Sequence, residues 1–249
     1  MTTVILFVLG AIVGSFLNVV GLRFNSGLTL KGRSICPSCG KKLHWWELLP
    51  FLSFFILRGR CRQCRARISW QYPIVELWTA LIFITVPYAF IPVFCIYVII
   101  TIYDIRHKII PDSLVYTSIF LSLTINLLNL STYQTYSTLD WLAGPILFSF
   151  FASIWLISAG RVMGFGDAKL ALSVGILLGF TQSVSAIVLS FWIGAAFGLL
   201  AIFWIRINPL IRINNKITMK SEIPFAPFIV IGAWFALMFH FDIIHASLF

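Results

Sequence analysis

The sequence predicts an all-α integral membrane protein of about eight transmembrane helices, with one long polar loop between the first two. Three observations carry that expectation. First, only 10% of the 249 residues are charged while 60% are hydrophobic, and the mean hydropathy is +0.98. A soluble domain carries about 25% charged residues, so this chain has too few charges to cover a water-facing surface. Second, long apolar runs free of Lys and Arg fill most of the chain, as membrane helices require. Third, the basic residues segregate to one side once eight runs are drawn.

The first run is 3–22. Met1-Thr2-Thr3 places no basic residue ahead of it, and Arg23 follows it. That order is the reverse of a secretory signal, so a retained first span is expected. The runs 72–90 and 91–108 are separated only around Pro87 and Pro92, as in a tight hairpin. Runs 112–130 and 140–160 follow. The sixth, 168–180, has 13 residues against the roughly 20 needed to cross a bilayer. It either extends past its ends or lies partly in a protein-lined cavity. Runs 183–205 and 225–245 complete the set. The domain division expected from this pattern is a first helix over 1–22, a loop module over 23–71 and a multi-helix domain over 72–249. Within the loop, the apolar stretch 48–57 is too short to span, so it packs either against the membrane or in the loop's own core.

Orientation follows from the positions of all 18 Lys and Arg. The loop 23–71 holds ten of them: Arg23, Lys31, Arg33, Lys41, Lys42, Arg58, Arg60, Arg62, Arg65 and Arg67. The remaining eight fall in every second connection afterwards, from Arg106 and Lys108 through Arg161 and Lys169 to Arg206, Arg212, Lys216 and Lys220. The alternate connections have none. The positive-inside rule then makes the loop cytoplasmic and puts both termini outside. The same rule explains the net charge of +10 without nucleic acid, which is excluded as an expected partner; membrane lipid is the expected surrounding.

Four of the five cysteines form two pairs in that loop, Cys36-Pro-Ser-Cys39 and Cys61-Arg-Gln-Cys64. Two C-x-x-C knuckles at this spacing place four thiolates around one Zn²⁺. A cytoplasmic loop keeps its thiols reduced, which disfavours disulfides; redox chemistry and unligated thiols stand as alternatives. With four protein ligands the metal is structural, because no position stays open for water. Cys95 lies alone in an apolar run and is expected to be a small buried hydrophobe.

The chain has only eight acids, and an acid inside a membrane segment is a functional candidate by default. Asp104 ends the run beginning at Val93 and at helical spacing shares a face with Tyr97, Thr101 and Lys108. Asp167 sits in Gly164-Phe-Gly166-Asp167-Ala-Lys169, just before the sixth run. The two glycines allow bends and close approach there. Two carboxylates brought together share one proton and supply an acid and a base at one pH, the chemistry that activates water against a peptide carbonyl. The bland alternative is that Asp167 merely caps a helix. Asp112 and Asp140 each precede an apolar run and read as N-caps. Glu76 is expected to pair with a basic residue of the loop, and Asp242 lies near the outer end of the last run. His44, His107, His240 and His245 show no metal-like spacing and are expected at the interfaces. On the residues alone, a proton-coupled carrier and a zinc-anchored assembly protein without chemistry remain open beside catalysis.

The order of motifs resembles one family, the bifunctional type IV prepilin peptidases, over nearly the whole chain. Gly14-Ser-Phe-Leu-Asn-Val-Val20 is similar to its opening segment. Cys36-x-x-Cys39, Trp45-Trp-Glu47-Leu-Leu-Pro50-x-x-Ser53, Arg58-Gly-Arg-Cys61-x-x-Cys64 and Ile68-Ser69 with Tyr72-Pro-Ile-Val-Glu76 resemble its cytoplasmic domain. Asp104 with Ile110-Pro-Asp112, Gly164-Phe-Gly166-Asp167-Ala-Lys169-Leu and Ile223-Pro-Phe-Ala226-Pro-Phe resemble its remaining motifs. Leu48 stands where many members have Asn, and Ala226 where Gly is usual; Glu47-Leu-Leu-Pro is closer to the Gram-positive competence branch. The resemblance implies a GxGD aspartyl protease of the bacterial cytoplasmic membrane that removes the leader of prepilin or pseudopilin precursors. It implies S-adenosylmethionine-dependent methylation of the new N-terminus as well. Asp104 and Asp167 then carry over as the catalytic pair and Cys36, Cys39, Cys61 and Cys64 as the zinc site. The S-adenosylmethionine residues stay open, with Glu47 as the one candidate.

Overall fold

The computed structural model describes residues 1–27, 32, 34–130, 138–207 and 224–239. Among them the secondary structure is helical, apart from two isolated β-bridges joining Ile35 to Lys42 and Arg60 to Arg67. The α-helices are α1 (Thr2–Arg23), α2 (Leu52–Ile56), α3 (Gln71–Thr85), α4 (Ile91–His107), α5 (Asp112–Leu130), α6 (Thr138–Ser158), α7 (Phe165–Leu178), α8 (Phe180–Ile207) and α9 (Ala226–Phe239). Among the described residues, four stretches are long and apolar enough to cross a membrane: Thr2–Arg23, Tyr88–His107, Thr138–Ser158 and Phe180–Trp204. Lys31, Arg33, Arg212, Lys216 and Lys220 lie outside the described residues, as do His240, Asp242, His245 and the connection 131–137.

Several runs differ from their expected extents, α8 among them, which spans Phe180–Ile207 against the expected 183–205. α3 stops at Thr85 after 15 residues because Val86 turns extended ahead of Pro87, and a 3₁₀ turn over Tyr88–Phe90 leads into α4. The sixth run is shifted rather than lengthened: α7 spans Phe165–Leu178, 14 residues, and so takes Gly166 and Asp167 into its first turn. It ends at Gly179, whose φ of 74° is open to glycine at little cost. α8 begins at the next residue.

The chain divides into two compact units, Met1–Ile102 and Tyr103–Phe249, with the boundary inside α4. In the first unit α1 packs on α3. A Cβ at Gly10 would lie 2.8 Å from the Ala80 Cα, and one at Gly14 would lie 2.9 Å from the Glu76 Cα. Two glycines four residues apart thus let the helix backbones approach, as small residues do between membrane helices. The contacts run from Gly10 against Phe83 to Asn18 against Tyr72, so the pair is antiparallel. The buried Asn18 Nδ2 donates to the carbonyls of both Gly14 and Tyr72, each at 3.3 Å.

In the second unit α7 is the central helix, packed against α5, α6, α8 and α9. Gly144 and Gly175 again permit the close fit, since a Cβ at Gly175 would meet the Gly144 Cα at 2.6 Å. The Asn126 side chain donates to the Ile176 carbonyl. Asp140 departs from expectation. It lies in the first turn of α6, but its Oδ1 accepts from the Phe180 N–H at 2.9 Å and so satisfies the start of α8.

Candidate active site and candidate metal centre

Asp104 and Asp167 both belong to the second unit, and both are buried, at 5% and 7% exposure. Asp104 sits in the last turn of α4, one turn beyond the equally buried Thr101 and two beyond Tyr97. Lys108 does not continue this stripe. α4 ends at His107, Lys108 turns left-handed at φ 54° and its side chain is exposed. The Asp104 carboxylate accepts a backbone hydrogen bond from Ala226, the first residue of α9. That N–H has no partner inside its own helix, and the helix dipole favours an acid there.

Asp167 occupies the third position of α7, and its carboxylate takes a backbone hydrogen bond from the N-cap, Gly164. Helix capping is therefore real at Asp167, yet it leaves the carboxylate within electrostatic reach of Asp104. Each acid thus lies at the N-terminal end of a helix, and the two charges bear on each other. The glycines of the motif have unequal roles. A Cβ at Gly166 would fall 2.8 Å from the Ile110 Cβ, so glycine there lets α7 lie against the chain leaving α4. Gly164 has φ −75° and room for a Cβ, whose nearest neighbour would be the Asp167 Oδ2 at 3.6 Å.

Asp112 begins α5, but its carboxylate does more than end a helix: Oδ1 lies 2.7 Å from the Lys169 Nζ. Lys169 also lies over the rings of Tyr116 and Phe165, at 5.4 and 5.2 Å. This clamp joins the starts of α5 and α7 beside the two acids. Sequence reasoning did not foresee the Ala226, Ile110 and Lys169 contacts. The motifs named those residues, but each partner is far away in the chain.

The four cysteines meet in the first unit. Their sulfurs all lie within 4.8 Å of one another, with Cys36 and Cys64 at 3.8 Å. A tetrahedron of Zn–S bonds near 2.3 Å has edges of about 3.8 Å, so the arrangement fits that ion. The two knuckles are built alike. Cys36 N–H donates to Lys41 O and Gly40 N–H to Cys36 O, while Cys61 N–H donates to Ala66 O and Arg65 N–H to Cys61 O. The amides of Cys64 and Gln63 pull the Cys61 thiol down to about 6. Despite the Ala66 amide, desolvation and the neighbouring sulfurs push Cys64 up to about 11. One thiolate forms readily, and the next needs a cation to offset it.

Glu47 is 2% exposed at its side chain, and both oxygens are engaged. Oε1 accepts from Lys41 Nζ at 2.9 Å and Oε2 from the His44 N–H at 2.8 Å. Burial opposes its charge, but these donors hold its carboxyl below the usual range. Glu47 thus ties the first knuckle to the short 3₁₀ turn Trp45–Leu48. Glu76 accepts from the Phe51 N–H at 3.0 Å and from Ser15, in place of the expected basic partner. Cys95 is half-buried rather than fully enclosed. His44 and His107 are exposed; His107 stacks on Tyr103 at 4.2 Å.

A family profile described as the bacterial peptidase A24 N-terminal domain matches residues 8–90, and one described as the type IV leader peptidase family matches residues 89–199. The chain is 32% identical over 255 residues to a prepilin leader peptidase/N-methyltransferase of Bacillus subtilis (strain 168), covering 96% of this chain and 95% of that one. It is 32% identical over 216 residues to one of Aeromonas salmonicida (strain A449), covering 83% of this chain and 71% of the relative. It is 30% identical over 268 residues to one of Pseudomonas aeruginosa, covering 92% and 88%. No solved structure matches the chain.

Proposed function

The chain belongs to the type IV leader peptidase family, and from that premise we propose that it removes the leader of prepilin-like precursors with Asp104 and Asp167 and methylates the new N-terminus. The observation that supports this reading is the burial of both acids, one accepting from the first amide of α9 and the other from the N-cap of α7, with the Asp104 charge felt at Asp167. Two carboxylates so placed hold one proton between them. The ionised member takes a proton from water as its oxygen attacks the scissile carbonyl carbon, and the protonated member hydrogen-bonds the carbonyl oxygen. The proton then passes to the leaving nitrogen as the C–N bond breaks. Family membership favours this chemistry over the carrier and the assembly-protein readings.

The protein acts as an integral component of the bacterial cytoplasmic membrane, with eight spans, both termini outside and the 23–71 module facing the cytoplasm. The charge segregation in the sequence supports this topology. On this reading 1–22 is the first span, 23–71 the Cys₄ module serving the methyl transfer, and 72–249 the peptidase domain. Cys36, Cys39, Cys61 and Cys64 hold a structural Zn²⁺. S-adenosylmethionine supplies the methyl group transferred to the new terminal amine. Glu47, with Lys41 on one oxygen and the His44 N–H on the other, shapes the module and keeps lone pairs with which to meet that cofactor.

The test is to incubate the protein in proteoliposomes with a prepilin and S-adenosylmethionine and to weigh the products. Loss of the leader mass and gain of one methyl are expected from the intact chain, and neither cleavage product from Asp104→Asn or Asp167→Asn. A full rate of cleavage by either variant would overturn the catalytic assignment.

A further inference from the structure

We propose that residues 48–57 form a re-entrant wedge that enters the bilayer beside α1, so that the Cys₄ module is held in the lipid as well as tethered to it. All the contacts involved lie within the first unit. The wedge divides its apolar side chains between two surroundings. Phe54 turns inward and is 8% exposed, packed 4.8 Å from the Trp70 ring. Leu52, Phe55 and Ile56 turn the other way and are 60%, 63% and 70% exposed. The module's own core therefore covers one residue of the stretch and leaves its bulkiest neighbours open.

The depth of the wedge follows from its contacts with two membrane helices. The Phe51 ring stacks on Phe7 of α1 at 6.2 Å, and the Phe51 N–H donates to Glu76 of α3. Glu76 meets α1 at Gly14 and Ser15. Ser15 lies about 12 Å along the helix from Arg23, and Phe7 about 24 Å, at 1.5 Å per residue. The hydrocarbon core is about 30 Å thick, so Phe51 reaches well below the level of Arg23. The exposed face of the wedge then shares its surroundings with the exposed face of α1, which carries Val8, Ile12 and Phe16.

Irregular backbone at that depth is tolerated only when its polar groups are satisfied by protein, and many of the donors here find a protein acceptor. Pro50 has no N–H. Leu52, Ser53, Phe55, Leu57, Arg58, Gly59 and Arg60 donate to Pro50, Leu49, Phe51, Ser53, Phe55, Phe54 and Leu57. The Phe51 N–H is accepted by the buried Glu76 carboxylate. Where the chain re-emerges, Arg58, Arg60 and Arg62 are exposed, the charge that suits anionic headgroups at the surface. The occupant of the open face is thus the bilayer itself, acyl chains against Leu52, Phe55 and Ile56.

The experiment places a diazirine amino acid singly at positions 52, 55, 56, 38 and 63 of the full chain in vesicles containing phosphatidylglycerol. Mass spectrometry of the irradiated protein reads the adducts. Products heavier by one phospholipid are expected from positions 52, 55 and 56. Only water adducts are expected from the replaced Ser38 and Gln63, which are exposed at the knuckles. Retained zinc in each labelled protein shows that the module is intact. Water adducts alone at 55 and 56, or cross-links there to a second polypeptide, would overturn the proposal.

Discussion

The cysteine centre and the aspartate pair are both small polar sites in an apolar chain, yet they are assembled in opposite ways. The four sulfurs come from one stretch of 29 residues, 36–64, and the two knuckles repeat one hydrogen-bonding pattern. Local turns build that cluster. Asp104 and Asp167 are 63 positions apart and reach each other only through the packing of membrane helices. Damage to the first site is therefore expected to unfold a module. Damage to the second is expected to stop a reaction in a folded protein.

The largest effect that tests this contrast falls on the acids. Asp104→Asn and Asp167→Asn each lower cleavage by about 10²–10⁴-fold, the range for loss of a positioned acid or base, while bound zinc stays at the wild-type level. Metal analysis beside the cleavage assay checks both halves. If zinc is lost with either substitution, the two sites are not independent.

The converse change comes next. Cys36→Ser or Cys64→Ser removes a ligand from a centre of the kind whose binding energy, about 10–16 kcal/mol in zinc-finger peptides, is folding energy. Zinc is released and the module loses its protection from proteolysis. Methyl transfer falls at least as far as cleavage does. Equal zinc content in the variant and the parent, measured by mass spectrometry of the metal, would remove the Cys₄ centre from consideration.

Within the aspartate motif the two glycines sharpen the comparison. Gly166→Ala drives a Cβ into Ile110 at 2.8 Å, an overpacking that costs about 1–3 kcal/mol and shifts the turn that carries Asp167. Cleavage is expected to fall about 5- to 150-fold, since 1.4 kcal/mol is a factor of ten. Gly164→Ala finds φ −75° and ordinary contact distances, so it keeps most activity. A reversal of the two results would show that the motif serves backbone flexibility instead of close approach.

These contrasts explain what could be read in advance. The knuckle spacing named all four sulfurs because the cysteines lie on short turns. The aspartates stood out because so few acids occur among apolar runs, but their partners did not. The Ala226 amide reaches Asp104 only after α9 is packed, and Ile110 explains Gly166 only in three dimensions. Hydropathy located the apolar runs but overstated α3, since an apolar residue continues a run whether or not Val86 and Pro87 break the helix. Glu76 and Asp140 were each assigned to the nearest sequence feature, a basic loop and their own helix start. Both instead bond backbone N–H groups at a distance, Phe51 and Phe180. Stretch 48–57 was too short to classify by length, and only its contacts with α1 and α3 decide its place.

Asp112→Asn probes the edge of the aspartate site. Its ion pair with Lys169 is close at 2.7 Å, but the Asp112 side chain is 59% exposed. Exposed pairs contribute about 0–1 kcal/mol, and the rings of Tyr116 and Phe165 still hold Lys169 in the variant. Cleavage is expected to fall by no more than about fivefold, the equivalent of ~1 kcal/mol. A loss as deep as that of Asp104→Asn would move Asp112 into the reacting pair.

The smallest effect lies between the two knuckles. Each places the residue after its second cysteine in the left-handed region, Gly40 at φ 70° and Arg65 at φ 55°. Glycine adopts that conformation freely, whereas a side chain there costs about 1–2 kcal/mol. Arg65→Gly relieves that strain but gives the unfolded chain more freedom, which takes back about 0.5–1 kcal/mol. The net change is a gain of roughly 0–1.5 kcal/mol. Gly40→Ala runs the other way, because the strain of about 1–2 kcal/mol that enters the folded state outweighs the roughly 0.5–1 kcal/mol gained by stiffening the unfolded chain. Chelator-driven zinc release against denaturant concentration reads both. Arg65→Gly should shift the midpoint slightly upward and Gly40→Ala should shift it down. A clear destabilisation by Arg65→Gly would mean that the arginine side chain holds the second knuckle through a contact of its own.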